Sequence, residues 1–449
     1  MTRVLVAGAG ITGLATAHAL TRLLPGAGIE VWEADDRLGG KIRTTPFAGL
    51  DAVDEGADAF LARVPHATAL ARDVGLGDDL TSPTAASAAV WFGALHPIPE
   101  GLLLGVPADM VRLARSSLLS WRGRARAAIE PLLPRRDDGD SIGTLVRSRF
   151  GDEVHERLVD ALVGSIYATD TDRSSLAMVP QLAALAARRR SLLLGARATR
   201  AAAPPVSGPV FHAPRRGMGS LVDAVATAAT VSGAAIATGR AVHDIAADGA
   251  GWCVDGERFD AVVLATPARP TAPLLASAAP ELARLLATMD HAGVVLVSLA
   301  VPHWPERLHR RSGYLVPKPV QDRVTAASFG SQKWAHWRGG VGEVVRVSIG
   351  RDGSPPDDLD DDAVLRHAVD ELGRHTGVDV QPVETRISRW PLAFPQYRPQ
   401  HRAWLQRVEA ARPSGLFVCG ASYDGIGIPA CIDQAQRTAA RVAAHVAPG

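Results

Sequence analysis

Gly8-Ala9-Gly10-Ile11-Thr12-Gly13 is a G-x-G-x-x-G run, and its residue types and spacing suit the seating of a pyrophosphate. Gly8 makes a tight turn. Gly10 lets backbone approach a phosphate, and Gly13 lets a helix lie close on a strand. The phosphate would rest on the free N–H groups and positive dipole end of that helix. Glu33 follows about twenty residues after the last glycine. Its carboxylate can accept hydrogen bonds from a ribose diol and would repel a 2′-phosphate. The elements that must hold these groups are legible around them. Val4-Leu5-Val6-Ala7 reads as a buried strand and Leu14 to Leu20 as a helix. Ile29-Glu30-Val31-Trp32 reads as a second strand ending at the acid. Strand, glycines, helix, strand and acid in this order predict a dinucleotide-binding βαβ unit. A glycine-rich turn in an ordinary α/β domain is the bland alternative, and the context disfavours it.

The next residues narrow the ligand. Arg37-Leu38-Gly39-Gly40-Lys41-Ile42-Arg43-Thr44 follows the acid at once, and Val53-Asp54-Glu55-Gly56-Ala57-Asp58 comes later. This arrangement resembles the extended FAD fingerprint of the flavin amine oxidase and phytoene desaturase superfamily. In that group the Gly-Gly loop runs along the flavin, and the later glycine passes close to the ring system. Gly39-Gly40 alone would read as a plain β-turn; its place beside the acid reverses that preference.

Bulk properties exclude several classes. With 449 residues the chain is too long for one ordinary core, so two or three domains are expected. A net charge of +1 implies no strong field for nucleic acid. Cys253, Cys419 and Cys431 form no C-x-x-C pair, so neither a disulfide framework nor a zinc site is expected, and no metal. The first strand begins too early for a secretory signal, and no apolar run reaches membrane-spanning length. A cytoplasmic protein fits these features.

Further along, Pro65 to Leu80 has helical periodicity. Between Met110 and Arg126, apolar residues including Trp121 alternate with Arg112, Arg115, Arg122, Arg124 and Arg126. Such a helix could lie on an anionic membrane, but packing on its own domain with arginines in water is preferred. Asp137 to Ser141 reads as a polar break with a helix cap. Helices are expected from 141 to about 165, and an Ala/Pro linker from Ala201 to Val206. A helix from Val222 to Val231 follows. Strands are expected at Ala234–Ala237, Ala241–Ile245, Trp252–Val254 and Ala261–Pro267. Val294–Leu299, Tyr314–Val316 and Val344–Ile349 suggest a separate sheet. The acidic run Asp357–Asp362 lacks calcium-loop spacing and reads as the start of a helix. Gly415 to Gly420 is a buried strand. A glycine-rich turn through Ile426-Gly427-Ile428 leads to a helix from Asp433 to His445, again presenting free N–H groups.

Several stretches together resemble the protoporphyrinogen and coproporphyrinogen oxidases of haem synthesis. They are His96-Pro97-Ile98-Pro99-Glu100-Gly101, Ser165 to Asp170, Ser331-Gln332-Lys333-Trp334, Trp390 to Tyr397 with His401, and Tyr423 to Ile432. The resemblance spans nearly the whole chain. Its Pro-Ile-Pro-x-Gly form is closer to the bacterial coproporphyrinogen III enzymes than to the membrane-bound protoporphyrinogen IX enzymes. Where that family usually has proline this chain has Ala57, and where it often has glycine it has Ser165 and Thr169.

The resemblance implies an α/β fold with a Rossmann-like FAD-binding domain built from segments 1–62, 210–270 and 388–449. Segments 63–92 and 271–387 would form an α+β substrate domain, and 93–209 a mainly helical one. FAD contacts would fall on Gly8, Ala9, Gly10, Ile11, Thr12 and Gly13, on Glu33 and Ala34, on Gly40 and Lys41, and on Gly56, Ala57, Asp58 and Ala59. Val242, Trp390, Gly420, Ile426, Gly427 and Ile428 would complete the site. Oxidation of a porphyrinogen removes six electrons, so a flavin would turn over three times, with oxygen as acceptor and hydrogen peroxide as product. With no second G-x-G-x-x-G unit, a nicotinamide site is not expected. Tyr167, Tyr397 and His401 are candidate bases, with a hydrogen-bonding role in the core preferred for each. Arginines at the pocket mouth would take the propionates. A transient contact with a chelatase is left open. Rival readings are a protoporphyrinogen IX oxidase, a flavin amine oxidase or carotenoid desaturase, and a non-catalytic porphyrin or FAD carrier.

Overall fold

A computed structural model of the chain describes residues 1–103, 105–134, 139–202 and 208–447. The acidic pair Asp137-Asp138 and the linker residues 203–206 lie outside them. The fold is α/β. Its first layer is a parallel five-stranded sheet in the order Ala235–Ala237, Gly28–Trp32, Arg3–Ala7, Ala261–Leu264, Leu416–Val418. The two ends of the chain therefore meet in one sheet. Its strands read as continuous apolar runs because both faces are covered. Val4, Val6 and Val263 point to one side, where the helices Ile11–Leu23, Gly219–Val231 and Ile428–Val446 pack. Leu5, Ala7, Val262 and Leu264 point to the other, against an antiparallel three-stranded sheet at 245–259 and the helices Pro280–Ala287 and His401–Ala411.

The second sheet has seven strands in the order Glu384–Gln396, Asp290–Val301, Glu343–Ile349, Val324–Phe329, Arg311–Leu315, Ser87–Trp91, Leu95–Pro97. Arg311–Leu315 and Ser87–Trp91 run parallel; the other pairs are antiparallel. Successive side chains alternate between its faces. Val345, Val347 and Ile349 pack under the helix Asp361–Thr376 with Val364, Ala368 and Leu372. That helix starts as its acidic run implied. Asp360 accepts from the Ala363 N–H at 2.8 Å, and Asp361 and Asp362 occupy the first turn.

The observed packing moves three expected boundaries. The strand Glu384–Gln396 pairs with Asp290–Val301, so the chain returns to the first sheet after Gln396, not at 388. The helix Pro65–Asp73 buries Ala67, Leu70 and Ala71 in the core of the five-stranded sheet, so residues from 63 do not begin the second unit. His96 lies on the edge strand of the seven-stranded sheet, past the expected start of the helical segment at 93. Residues 241–244 form no strand, and the last helix begins at Ile428, earlier than expected. Pro429 suits its first turn, where the missing N–H is no loss.

The helical segment has its own core, with Leu113, Leu118, Leu119, Phe150 and Leu158 buried. Val111 and Trp121 of the arginine-rich stretch are exposed, not packed inward as expected. The predicted helices at 141–165 are Ile142–Phe150 and a turn at Asp152–Val154 that runs into a π-helix, His155–Gly164. No described helix is long and apolar enough to cross a membrane. Glu130 is fully buried and pairs with Arg149 at 2.7 Å. It also takes the N–H of Leu192 at 2.8 Å at a helix start. Removing one partner of a buried pair leaves the other charge uncompensated, at a cost of about 3–5 kcal/mol. Glu130→Ala is expected to lose that much in urea unfolding, while the exposed Arg122→Ala changes little.

Candidate active site

A cavity of about 1060 Å³ lies between the two sheets and the helical segment. One arm follows the edge of the five-stranded sheet. Gly8, at φ 96°, turns the chain out of the first strand. A Cβ at Gly13 would lie 1.8 Å from the Gly8 carbonyl oxygen, so only glycine lets helix and turn touch. A Cβ at Gly10 would meet nothing within 4 Å, because that position opens on the cavity. Among the described residues no side chain caps the helix Ile11–Leu23 or the helix Ile428–Val446. Ile11, Thr12 and Ile428, in their first turns, line the cavity. Their free N–H groups form an anion cradle of the kind a pyrophosphate needs.

Glu33 sits at the end of this arm. Its Oε2 accepts from the Ala9 N–H at 2.6 Å and its Oε1 from the Asp35 N–H at 3.0 Å. Ala34 and Val242 line the wall beside it. The Arg240 guanidinium lies 3.5 Å from the centre of the Trp32 ring, closing that end. Gly40, Gly56, Ala57 and Gly420 line the path, as do Ile426 and Trp390. Trp390 donates its indole N–H to the Glu55 carbonyl at 3.0 Å, which sets the 54–59 loop against the strand Glu384–Gln396. Ala9, Gly13, Ala59 and Gly427 are not among the residues that line the cavity. The residues present thus fit a dinucleotide along the whole arm.

Lys41 lines the cavity and donates from Nζ to the Ala393 carbonyl at 2.9 Å. Burial lowers its ammonium to about 8 from 10.5. The unfolded chain keeps that proton up to the higher value. Between pH 8 and 10 the unfolded state therefore binds more protons, and from this group stability rises with pH. Binding of an anion beside Lys41 favours the protonated form and weakens as pH rises through 8. Urea midpoints of ligand-free protein at pH 7 and 9.5 check this. Lys41→Met is expected to remove this part of the rise.

Asp58 is held by Lys333 Nζ at 2.8 Å, Trp334 Nε1 at 3.1 Å and Arg346 Nη1 at 3.3 Å. Burial alone would raise its pKa, but Lys333 and Arg346 outweigh that and hold it well below the usual carboxylate range. Lys333 and Arg346 line the cavity, and sequence reasoning assigned neither a role. The signal for Arg346 was a charge within the otherwise uncharged run Val344–Ile349.

Beyond the dinucleotide arm the cavity opens into a largely apolar chamber. Leu296, Ala326 and Ser348 of the seven-stranded sheet roof it, with Leu392 and Phe394 from the neighbouring strand. Ile98, Leu162, Ser165 and Ile166 face in from the helical side. Ser165 is thus a wall residue. Thr169 is buried behind and donates to Gln396 Oε1 at 2.7 Å.

None of the three candidate bases lines the cavity. The Tyr397 hydroxyl donates to the Ala421 carbonyl at 2.7 Å and accepts from the Gly425 N–H at 2.9 Å. Its ring stacks on His401 at 3.7 Å, and His401 Nε2 meets the Tyr423 carbonyl at 2.7 Å. Burial pushes the phenol well up and the imidazole down. The pair braces the 421–425 loop. Tyr167 packs on the helical core, its phenol raised by burial.

Comparison with known proteins gives the family. A family model described as flavin containing amine oxidoreductase matches residues 11–443. The chain is 34% identical over 450 residues to "Coproporphyrinogen III oxidase" of Mycobacterium tuberculosis (strain ATCC 25618 / H37Rv), covering 97% of this chain and 96% of that one. It is 29% identical over 457 residues to the protein of the same name from Bacillus subtilis (strain 168), covering 96% of each. A crystal structure from Exiguobacterium sp. 255-15, assigned provisionally as a protoporphyrinogen oxidase, superposes with a TM-score of 0.87 at 27% identity over 99% of both chains.

Proposed function

The chain belongs to the flavin-containing amine oxidoreductase family, and from that membership we propose that it binds FAD and oxidises coproporphyrinogen III to coproporphyrin III, with oxygen as acceptor. The observation that carries the reading is the chamber that continues the dinucleotide arm. It is apolar, it is walled from three parts of the chain, and it suits a macrocycle. The relatives named for this activity match along nearly the whole chain.

Bound FAD would supply the two-electron acceptor, used three times for the six electrons and six protons that leave the substrate. Each oxygen molecule takes two of each and leaves as hydrogen peroxide. The chain's own part is binding, orientation and exclusion of water. The glycine turn and the two uncapped helices hold the diphosphate, Glu33 the ribose, and Trp390 fixes the 54–59 loop. Leu296, Leu392 and Phe394 shape the space for the macrocycle. Asp58 is tied to two cations and is a poor proton acceptor near neutral pH. Tyr397 and His401 act at a distance by holding the 421–425 loop. Cys253, Cys419 and Cys431 are free thiols, which suits a reducing cytoplasm.

An amine oxidase would need an aromatic cage, and this chamber is mostly aliphatic. Purified protein is to be mixed in turn with coproporphyrinogen III, protoporphyrinogen IX and a monoamine. Porphyrin fluorescence from the first, with little from the second, is the expected result. Equal rates with both porphyrinogens would undo the substrate assignment. No rate with either would leave a carrier.

A further inference from the structure

Residues of the seven-stranded sheet line the cavity, and Leu296, Ala326, Ser328 and Ser348 among them are neutral. Arg346 shares that face, charged and only 6% exposed. Its guanidinium crosses to the loop that carries Gly56. Nη1 approaches Asp58 at 3.3 Å, and Nη2 donates to the Gly56 carbonyl. Lys333 donates to both Asp58 oxygens, at 2.8 and 3.0 Å. One carboxylate is thus shared by two cations. The neighbouring acids have other partners. Glu55 is met by Arg43 at 3.2 Å and by Arg386 at 4.0 Å, while Asp54 takes the Thr44 hydroxyl and the Met218 N–H. Asp58 is the one carboxylate in contact with both Lys333 and Arg346 among the described residues. Arg346 Nε is buried, with no partner among the described residues. An uncompensated buried charge is costly unless something anionic meets it.

Two-electron reduction with uptake of one proton leaves a flavin one unit more negative. We propose that Arg346 and Lys333, with Asp58 between them, bind reduced flavin more tightly than oxidised flavin, and so raise the potential at which the site accepts electrons. This deepens the flavin reading above and rests on it. The cluster suits that role better than a substrate carboxylate. Arg346 is deep in the wall and tied to the loop beside Trp390, whereas propionates belong at the wet mouth. Asp58 lowers the effect of the two cations and fixes their geometry, so these are positioning residues and not bases.

The test is a midpoint potential on the full-length FAD-loaded protein, with flavin content and the dissociation constant of oxidised FAD as second readouts. Arg346→Met and Lys333→Met are each expected to weaken the preference for reduced flavin about tenfold, a fall of about 30 mV for a two-electron couple. Asp58→Asn, which removes the shared negative charge, is expected to shift the potential the other way. Arg346→Lys should stay near the parent. A merely structural cluster would loosen the site in every variant and could not give opposite signs. Shifts in one direction for all three, or none in variants that keep their flavin, would overturn the proposal. So would Arg346→Met raising KM for the porphyrinogen with the potential unchanged, since the cation would then serve the substrate. Parent protein that binds no FAD would instead sink the functional reading itself, and this inference with it.

Discussion

Gly10→Val will give a folded protein that has lost its flavin. Gly10 has φ −68° and ψ 173°, an extended conformation open to any residue. A Cβ there meets no protein atom within 4 Å. The glycine is therefore not needed by the fold; it is needed by what fills the cavity. Branched carbons at this position project where the backbone must approach a diphosphate. The expected loss of FAD affinity is at least about 100-fold, or about 2.8 kcal/mol. Porphyrinogen oxidation falls with it, and the urea midpoint of ligand-free protein stays near the parent. Gly13→Ala gives the opposite pattern. Its Cβ would lie 1.8 Å from the Gly8 carbonyl oxygen, so helix and turn must separate and the ligand-free fold weakens. Absorbance near the bands of oxidised flavin, measured beside urea unfolding, separates the two. A Gly10→Val protein as yellow as the parent would remove the dinucleotide from this arm of the cavity.

These two glycines show what the sequence makes legible. Turn, helix and acid are contiguous, so spacing alone gives their order and their roles. The meeting of both chain ends was legible for a similar reason: Gly415 to Gly420 is again an apolar strand ending in glycine. The boundary at 388 was not. Trp390-Pro391-Leu392-Ala393-Phe394-Pro395 carries two prolines and does not read as a strand. It is one because it lies at the edge of the seven-stranded sheet, where a missing N–H leaves no ladder bond broken.

The charges beside the 54–59 loop were less legible still. In Val344-Val345-Arg346-Val347-Ser348 the arginine fits ordinary alternation, with its side chain in water. Only packing shows that this face roofs a cavity. Lys333 belonged to a noted motif, but its partner Asp58 lies 275 positions away in sequence. Tyr397 and His401 have the residue types of acid–base groups. Their role as a brace depends on the 421–425 loop folding back over them, which no local pattern encodes.

The same alternation supplies the second large effect. Ala326 and Ala327 both border the cavity, but Ala327 is 3% exposed and belongs to the core under the helix Asp361–Thr376, whereas Ala326 is half-buried and outside that core. Ala326→Trp places an indole where the macrocycle would lie. Ala326 is outside the buried core cluster, so stability and flavin content should hold. The expected fall in kcat/KM for coproporphyrinogen III is at least about 100-fold, again about 2.8 kcal/mol. Fluorescence titration should show coproporphyrin III binding lost to a similar degree. Ala327→Trp, one position on, turns the same ring into the packed layer, and overpacking of that kind costs about 1–3 kcal/mol of stability. It should lower the urea midpoint first and activity only through unfolding. The contrast separates a substrate chamber from a space that merely adjoins the cofactor. An Ala326→Trp protein that turns over coproporphyrinogen III at the parent's kcat/KM would mean that the macrocycle binds elsewhere, and the chamber would lose its role.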